Sequence, residues 1–299
     1  MIYAFVDRHR SEHTIGLMCK VMAVKTCGYY AWRRRPKSER EQANEALVEK
    51  IKQVHELTRK NYGSVRITDE LNKLAPQERG QDEPVGKNRV ARLMRKNGIK
   101  GKKKTAFRPQ TTDSRHALPV SPNRLNQDFS AENPGEKTTS DFTFIKTKEG
   151  WLYVCVVLDL YSRMVIGWSM MDRMPQELVL AALNMALENG RIKPTAIFHS
   201  DRGRQYAARA VRDLLARNQL LQSMSRAGNV WDNAVTEAFF STLKTECVPV
   251  EGYATREQAK QAIFEWIEVF YNRERLHSVF WSCLDLAGMN SVQLKLLNL

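Results

Sequence analysis

The chain has 299 residues, 42% of them hydrophobic and 27% charged, which is enough for two domains with a sizeable core and excludes a disordered or collagen-like protein. It shows no signal-peptide pattern and no apolar span of membrane length. Its five cysteines (Cys19, Cys27, Cys155, Cys247, Cys283) are odd in number with no C-x-x-C pair, so they are expected as small core residues rather than a disulfide framework or a zinc site. The net charge of +14 is segregated: residues 1–120 hold 27 Lys and Arg against 13 Asp and Glu, whereas residues 121–299 hold 20 of each. A basic part joined to a neutral one points to a polyanion held by the first and a separate task in the second.

Residues 13–35 predict two short helices about a bend near Ala23 to Thr26, with Ile15, Met18, Val21 and Met22 facing inward and Thr26 as an N-cap. This is a helix-turn-helix pattern whose second helix ends in Arg33, Arg34 and Arg35, placed to meet phosphates. A polar helix over 41–60 carries Ala46, Leu47, Ile51, Val54 and Leu57 at helical spacing. A second helical pair is expected over 67–74 and 87–97, the latter buried through Val90, Leu93 and Met94 and stopped by Gly98. Lys102, Lys103 and Lys104 then open a basic loop suited to phosphate.

Residues 105–137, rich in Pro, Ser, Thr and Asn, read as a linker between a basic helical DNA-binding region (1–104) and a second domain (138–299). Strands are expected at 141–147, 151–160 and 163–170, then a helix at 176–189, a strand at 195–199, a helix at 206–218, a strand at 222–225 and helices at 232–246 and 256–271. The middle strand of the first three is apolar on both faces, so both faces of the sheet should be covered.

Three acids occupy unusual places in this order. Asp141 opens the first strand, Asp201 follows the fourth, and Glu237 lies on the helix at 232–246. Singly, such acids serve as caps or turn residues. The helix weakens that reading, because at about 100° per residue Asn233, Glu237 and Lys244 fall within about 40° of one another, opposite Val235, Ala238, Phe239 and Leu243. One face packs, and the other presents an amide, an acid and a cation suited to hold a phosphate beside an acid-bound metal.

Asp141, Asp201 and Glu237, with 35 residues between the last two, stand with HSDRGRQY (199–206), SMSRAGNVWDNAVTEAFFSTLKTE (223–246) and YNRERLH (271–277). Together these closely resemble the DDE transposases of bacterial insertion sequences, specifically the second-reading-frame product of the IS-three family. CGYYAWRRR (27–35), YGSVRI (62–67) and RVARLMRKNGIKG (89–101) extend the resemblance over nearly the whole chain. It implies an α/β fold, an RNase-H-like integrase core with a mixed five-stranded sheet, preceded by an all-α helix-turn-helix region. It implies further that Asp141, Asp201 and Glu237 hold two Mg²⁺ ions, for which Mn²⁺ substitutes, and catalyse cleavage and 3′-hydroxyl strand transfer of DNA. Two ions suit this chemistry because an in-line displacement must stabilise the attacking and leaving oxygens together.

By the same resemblance Lys244 contacts DNA, while His199, Gln205, Tyr206 and Asn233 shape the site. Their other readings are core hydrogen bonding for His199, packing for Tyr206 and a helix cap for Asn233. Arg275 and His277 either touch phosphate or secure the last helix. The chain departs from the family at Thr138, where a tryptophan is usual, and in its tail, which lacks the usual Ser-Pro pair. The family implies a homo-oligomer on DNA in the bacterial cytoplasm, associated with the nucleoid, and fusion to an upstream reading frame by frameshifting. The competing expectation is a non-catalytic DNA-binding protein or an inhibitor, made from an unfused or damaged copy.

Overall fold

A computed structural model of the chain describes residues 2–79, 82–102, 118–227 and 229–276. Three short helices come first, α1 (Ile2–Arg8), α2 (Ile15–Val21) and α3 (Thr26–Arg34), closed around Val6, Met18, Cys19 and Tyr29. The bend between α2 and α3 lies at Ala23, in the left-handed region at φ 53°. Two expectations fail here. Lys25 occupies the N-cap position and Thr26 is the first helical residue. Val21 is 74% exposed while Cys19 is buried, because Ile15, Met18, Cys19 and Met22 share one side of the helix and Val21 lies roughly 110° off it.

The next helices are α4 (Glu39–Leu57), α5 (Ser64–Lys73), the single turn α6 (Pro76–Arg79) and α7 (Lys87–Lys96). The Ser38 hydroxyl caps α4 by accepting from the Glu41 N–H, and Gly98 takes the left-handed conformation after α7 that the sequence predicts for a stop. Leu47, Ile51, Val54, Ile67, Leu71, Val90 and Leu93 form the shared core of these helices, with Val48 buried in place of the exposed Ala46.

The second part is built on β1 (Lys137–Thr147), β2 (Gly150–Asp159), β3 (Val165–Met171), α8 (Gln176–Glu188), β4 (Ile197–Ser200), α9 (Arg204–Ala207), α10 (Arg209–Arg217) and β5 (Leu221–Met224). A 3-10 turn at Val230–Asn233, α11 (Ala234–Glu246), α12 (Arg256–Glu265) and a π-helical turn at Trp266–Tyr271 complete it. The sheet order is β3-β2-β1-β4-β5, with the first three strands antiparallel and β1, β4 and β5 parallel to one another. A mixed five-stranded sheet is what the sequence leads one to expect. β1, however, begins four residues before Asp141, because residues 137–140 pair with β4 on one side and residues 138–140 with the end of β2 on the other. Asp141 is therefore inside the strand, opposite Val156.

Leu152, Val154, Val156 and Leu158 pack against α11, α12 and the π-helical turn, in a cluster continuous with the core of α4, α5 and α7. Cys155 and Val157 face the other way, toward α8 and α10. This is the two-faced burial expected of the middle strand. Gly167 of β3 lets α8 approach, since a Cβ there would strike the Ala182 carbonyl. Of the cysteines, Cys19 and Cys155 are buried as expected, Cys27 is exposed and Cys247 is half-buried, while Cys283 lies outside the described residues. Among the described residues no helix is long and apolar enough to cross a membrane.

Candidate active site

Asp141 is half-buried at the middle of β1, and its Oδ1 accepts from the Phe142 N–H at 2.8 Å. Its carboxyl is pushed well above the usual carboxylate range, first by burial and then by the negative charges of Asp201 and Glu237, with Lys244 pulling the other way. Asp201 follows β4, the parallel neighbour of β1, and accepts from the Gly203 N–H at 2.8 Å. Glu237 projects from the first turn of α11 as an exposed residue, and partial desolvation raises its carboxyl. The fold thus brings the three predicted acids into one electrostatic neighbourhood from three separate elements. Among the described residues no three His, Cys, Asp or Glu side chains are gathered tightly enough to hold an ion. The donor set itself, three carboxylates, has the chemistry a hard divalent cation takes.

Lys244 is half-buried on α11, with its ammonium 4.9 Å from the centre of the Phe144 ring. Burial lowers its pKa and the charge of Asp141 raises it, so the cation and the first acid are partners across the site. The buried stripe of α11 is Thr236, Phe239, Phe240 and Leu243. Ala238, expected to pack, is exposed and Val235 is half-buried, because the stripe follows the two phenylalanines onto the sheet.

The supporting residues divide. Asn233 sits at the N-cap of α11 but makes no cap bond. Its Oδ1 instead accepts from Thr139 and Thr236, each at 2.9 Å, and so ties the helix to β1 two residues from Asp141. Tyr206 is fully buried, with its hydroxyl 2.9 Å from that of Ser140, the neighbour of Asp141, and its ring stacked on Phe142. His199 turns to β5, with its ring nitrogens 2.8 and 3.2 Å from the Ser223 and Ser225 hydroxyls; burial lowers it to about 4, so it is neutral. Gln205 donates to the Met174 carbonyl and lines a cleft of about 550 Å³ between α8 and α9 with Leu118, Arg204 and Arg209. Thr138, at the departure from the family pattern, is fully buried and its hydroxyl donates to the Ile197 carbonyl.

The basic residues are spread over the molecule. Arg33, Arg34 and Arg35 are exposed at the end of α3, with Arg33 3.6 Å from Asp7. The ammonium of Lys102 donates to the Glu246 carbonyl at 2.7 Å, at the C-terminal end of α11. Lys103, Lys104 and His277 lie outside the described residues.

Two groups escaped the sequence reading. Asp232, fully buried, accepts from the Arg226 guanidinium and main chain, from Gln127 and from Asn123, and so anchors the turn before α11 to the segment before β1. At the other end of the helix, Glu246 receives Arg275 in a two-pronged pair (2.9 to 3.2 Å), with Arg66 of α5 3.6 Å away, while the Tyr62 hydroxyl accepts from the Leu276 N–H at 2.7 Å. YGSVRI, KTE and YNRERL, far apart in the chain, thus meet in one knot. Their unusual residue types for a buried position were the available signal.

Residues 131–230 and 237–298 match the integrase core domain, and residues 42–107 match an HTH-like domain. Over 280 residues the chain is 40% identical to transposase InsF for insertion sequence IS3A of Escherichia coli K12, covering 93% of this chain and 94% of that one. Over 261 residues it is 42% identical to a 31 kDa protein of insertion element IS600 from Shigella sonnei, covering 87% and 93%. Among solved structures, the catalytic domain of Mos1 transposase, determined with raltegravir and Mn, aligns at 20% identity and a TM-score of 0.36 over 45% of this chain and 71% of that one. With 40% identity across almost the whole length of both chains, the protein belongs to the transposases of the IS3 insertion sequences.

Proposed function

We propose that Asp141, Asp201 and Glu237 are the catalytic carboxylates of this transposase and that they hold two divalent ions, Mg²⁺ or in its place Mn²⁺. The observation that carries this reading is the convergence of three acids from adjoining elements: Asp141 within β1, Asp201 at the end of the parallel neighbour β4, and Glu237 on α11, whose N-terminal Asn233 is bonded to Thr139 of β1. The charges of Asp201 and Glu237 help to raise the half-buried Asp141 carboxyl. Fixing like charges together is unfavourable unless a cation relieves them. Bound ions supply Lewis-acid stabilisation of the oxygens that attack and leave at phosphorus. The chain's own residues do the rest. Asn233 and Tyr206 hold the strand and helix that carry the acids, and Lys244 meets a DNA phosphate beside them. No covalent enzyme intermediate is needed when the nucleophile is water or a DNA 3′-hydroxyl.

Residues 1–104, with Arg33 to Arg35 and Lys102 to Lys104, hold the DNA, residues 105–137 link, and residues 138–299 react. The working form is an oligomer assembled on the element's ends in the bacterial cytoplasm, at the nucleoid, with the upstream reading frame fused to it.

The test is nicking and joining of supercoiled DNA by the full chain with Mg²⁺ or Mn²⁺, beside Asp201→Asn. Loss of at least about a hundredfold in the variant, with DNA binding intact, is expected where an acid serves a metal-assisted displacement. Cutting by Asp201→Asn equal to that of an active wild type would exclude the assignment.

A further inference from the structure

Trp231 stands on the 3-10 turn between β5 and α11 with 71% of its surface exposed, more than any other aromatic side chain described. Leaving an indole in water forgoes a large hydrophobic gain, and the turn that leaves it there is held by hydrogen bonds on both sides of the tryptophan. The Asn229 side chain accepts from the Trp231 N–H at 3.0 Å. The next residue, Asp232, is fully buried under Arg226, Gln127 and Asn123, and the one after it, Asn233, is tied to Thr139 of β1. Bonds on both sides of the tryptophan thus fix the backbone that presents it. Along the chain, the next exposed residue after Trp231 is Glu237. The turn that presents the indole leads directly into the helix that carries Glu237, and its Asn233 is bonded to Thr139, two residues from Asp141.

We infer that Trp231 is a stacking platform for an unpaired nucleobase of the DNA end held at the carboxylates. The inference rests on the strand-transfer reading above. Cutting and joining one strand at a duplex end is helped by separating that strand from its partner, and a base drawn out of the helix loses its stacking. An exposed indole face restores it. Every base has such a face, so the platform serves any terminal sequence and adds no base specificity.

The full chain is tested in Ca²⁺, which leaves DNA uncut, by fluorescence anisotropy on two short duplexes of one sequence, one fully paired and one with a splayed end. Wild type and Asp201→Asn should both prefer the splayed end. Trp231→Ala should lose about tenfold in affinity for it with little change on the paired duplex, and Trp231→Phe should keep most of the preference. No preference in wild type, or an equal preference in Trp231→Ala, would overturn the platform. So would an equal loss on both duplexes, or a change in the sedimentation of Trp231→Ala without DNA, which would mark the indole as a contact between copies of the chain. Failure of the strand-transfer reading shows separately, as cutting in Mn²⁺ that is the same in wild type and Asp201→Asn.

Discussion

At the scale of single residues, the carboxylates of the second domain differ by what meets them. Asp232 is buried among donors, and the Arg226 guanidinium before all else holds its carboxyl far below the usual carboxylate range. Asp141 is half-buried beside other acids and is pushed up, by desolvation first and then by their charges. The first arrangement serves structure, because the charged form is what the fold binds; the second is out of place in a core unless it serves chemistry. Because the folded-state pKa of Asp232 is depressed, its contribution to stability is fully present above the unfolded carboxylate value of about 3.9 and is lost as the pH falls below it. Asp232→Asn is therefore expected to lower stability by about 2 to 3 kcal/mol at neutral pH, and the gap to wild type in urea melts should close as the pH is taken below about 4. A gap independent of pH would show that the charge of Asp232 is not what the fold uses.

At the scale of elements, α11 is the informative case. Its apolar spacing and its Glu237 and Lys244 were legible because both depend only on the period of the helix. The sequence reading placed Ala238 in its packed face, since periodicity says which residues share a side but not which part of that side meets the sheet. Its two anchors were not legible, because Arg226 and Asn123 reach Asp232, and Arg66 and Arg275 reach Glu246, from other elements brought close only by the fold. Side chains of Glu246 and Arg275 are 6% and 8% exposed. Removing one member of so buried a pair leaves the other unpaired, so Arg275→Ala should cost about 3 to 5 kcal/mol in chemical unfolding, and Glu246→Gln should cost less because an amide oxygen still accepts. A loss below about 1 kcal/mol in Arg275→Ala would show that solvent reaches the pair and that it behaves as a surface bridge.

At the scale of the molecule, the HTH-like domain shares a continuous apolar cluster with one face of the sheet, grips the end of α11 through Arg66 and Lys102, and holds Leu276 through the Tyr62 hydroxyl. The part that carries the excess positive charge is thereby joined to the helix that carries Glu237. If DNA is held mainly through phosphates, the affinity of the full chain should fall with salt, log K against log salt sloping by about −0.9 for each phosphate neutralised. Replacing Arg33, Arg34 and Arg35 by alanine should flatten that slope by up to about three contacts. A wild-type affinity insensitive to salt would remove the phosphate reading.

Read alone, the sequence determined the order of strands and helices, the uneven charge and the three acids, and through its motifs the family. These are properties of local periodicity, composition and spacing, which the chain carries whether or not it is folded. Only the tertiary structure decided that Asp141 lies within a strand rather than at its start, that His199 belongs to a pairing between strands, and that Asp232 and Glu246 hold the two ends of α11. Each of these depends on which distant segment arrives as a neighbour. Burial and hydrogen-bond partners are set by that arrival and by nothing local.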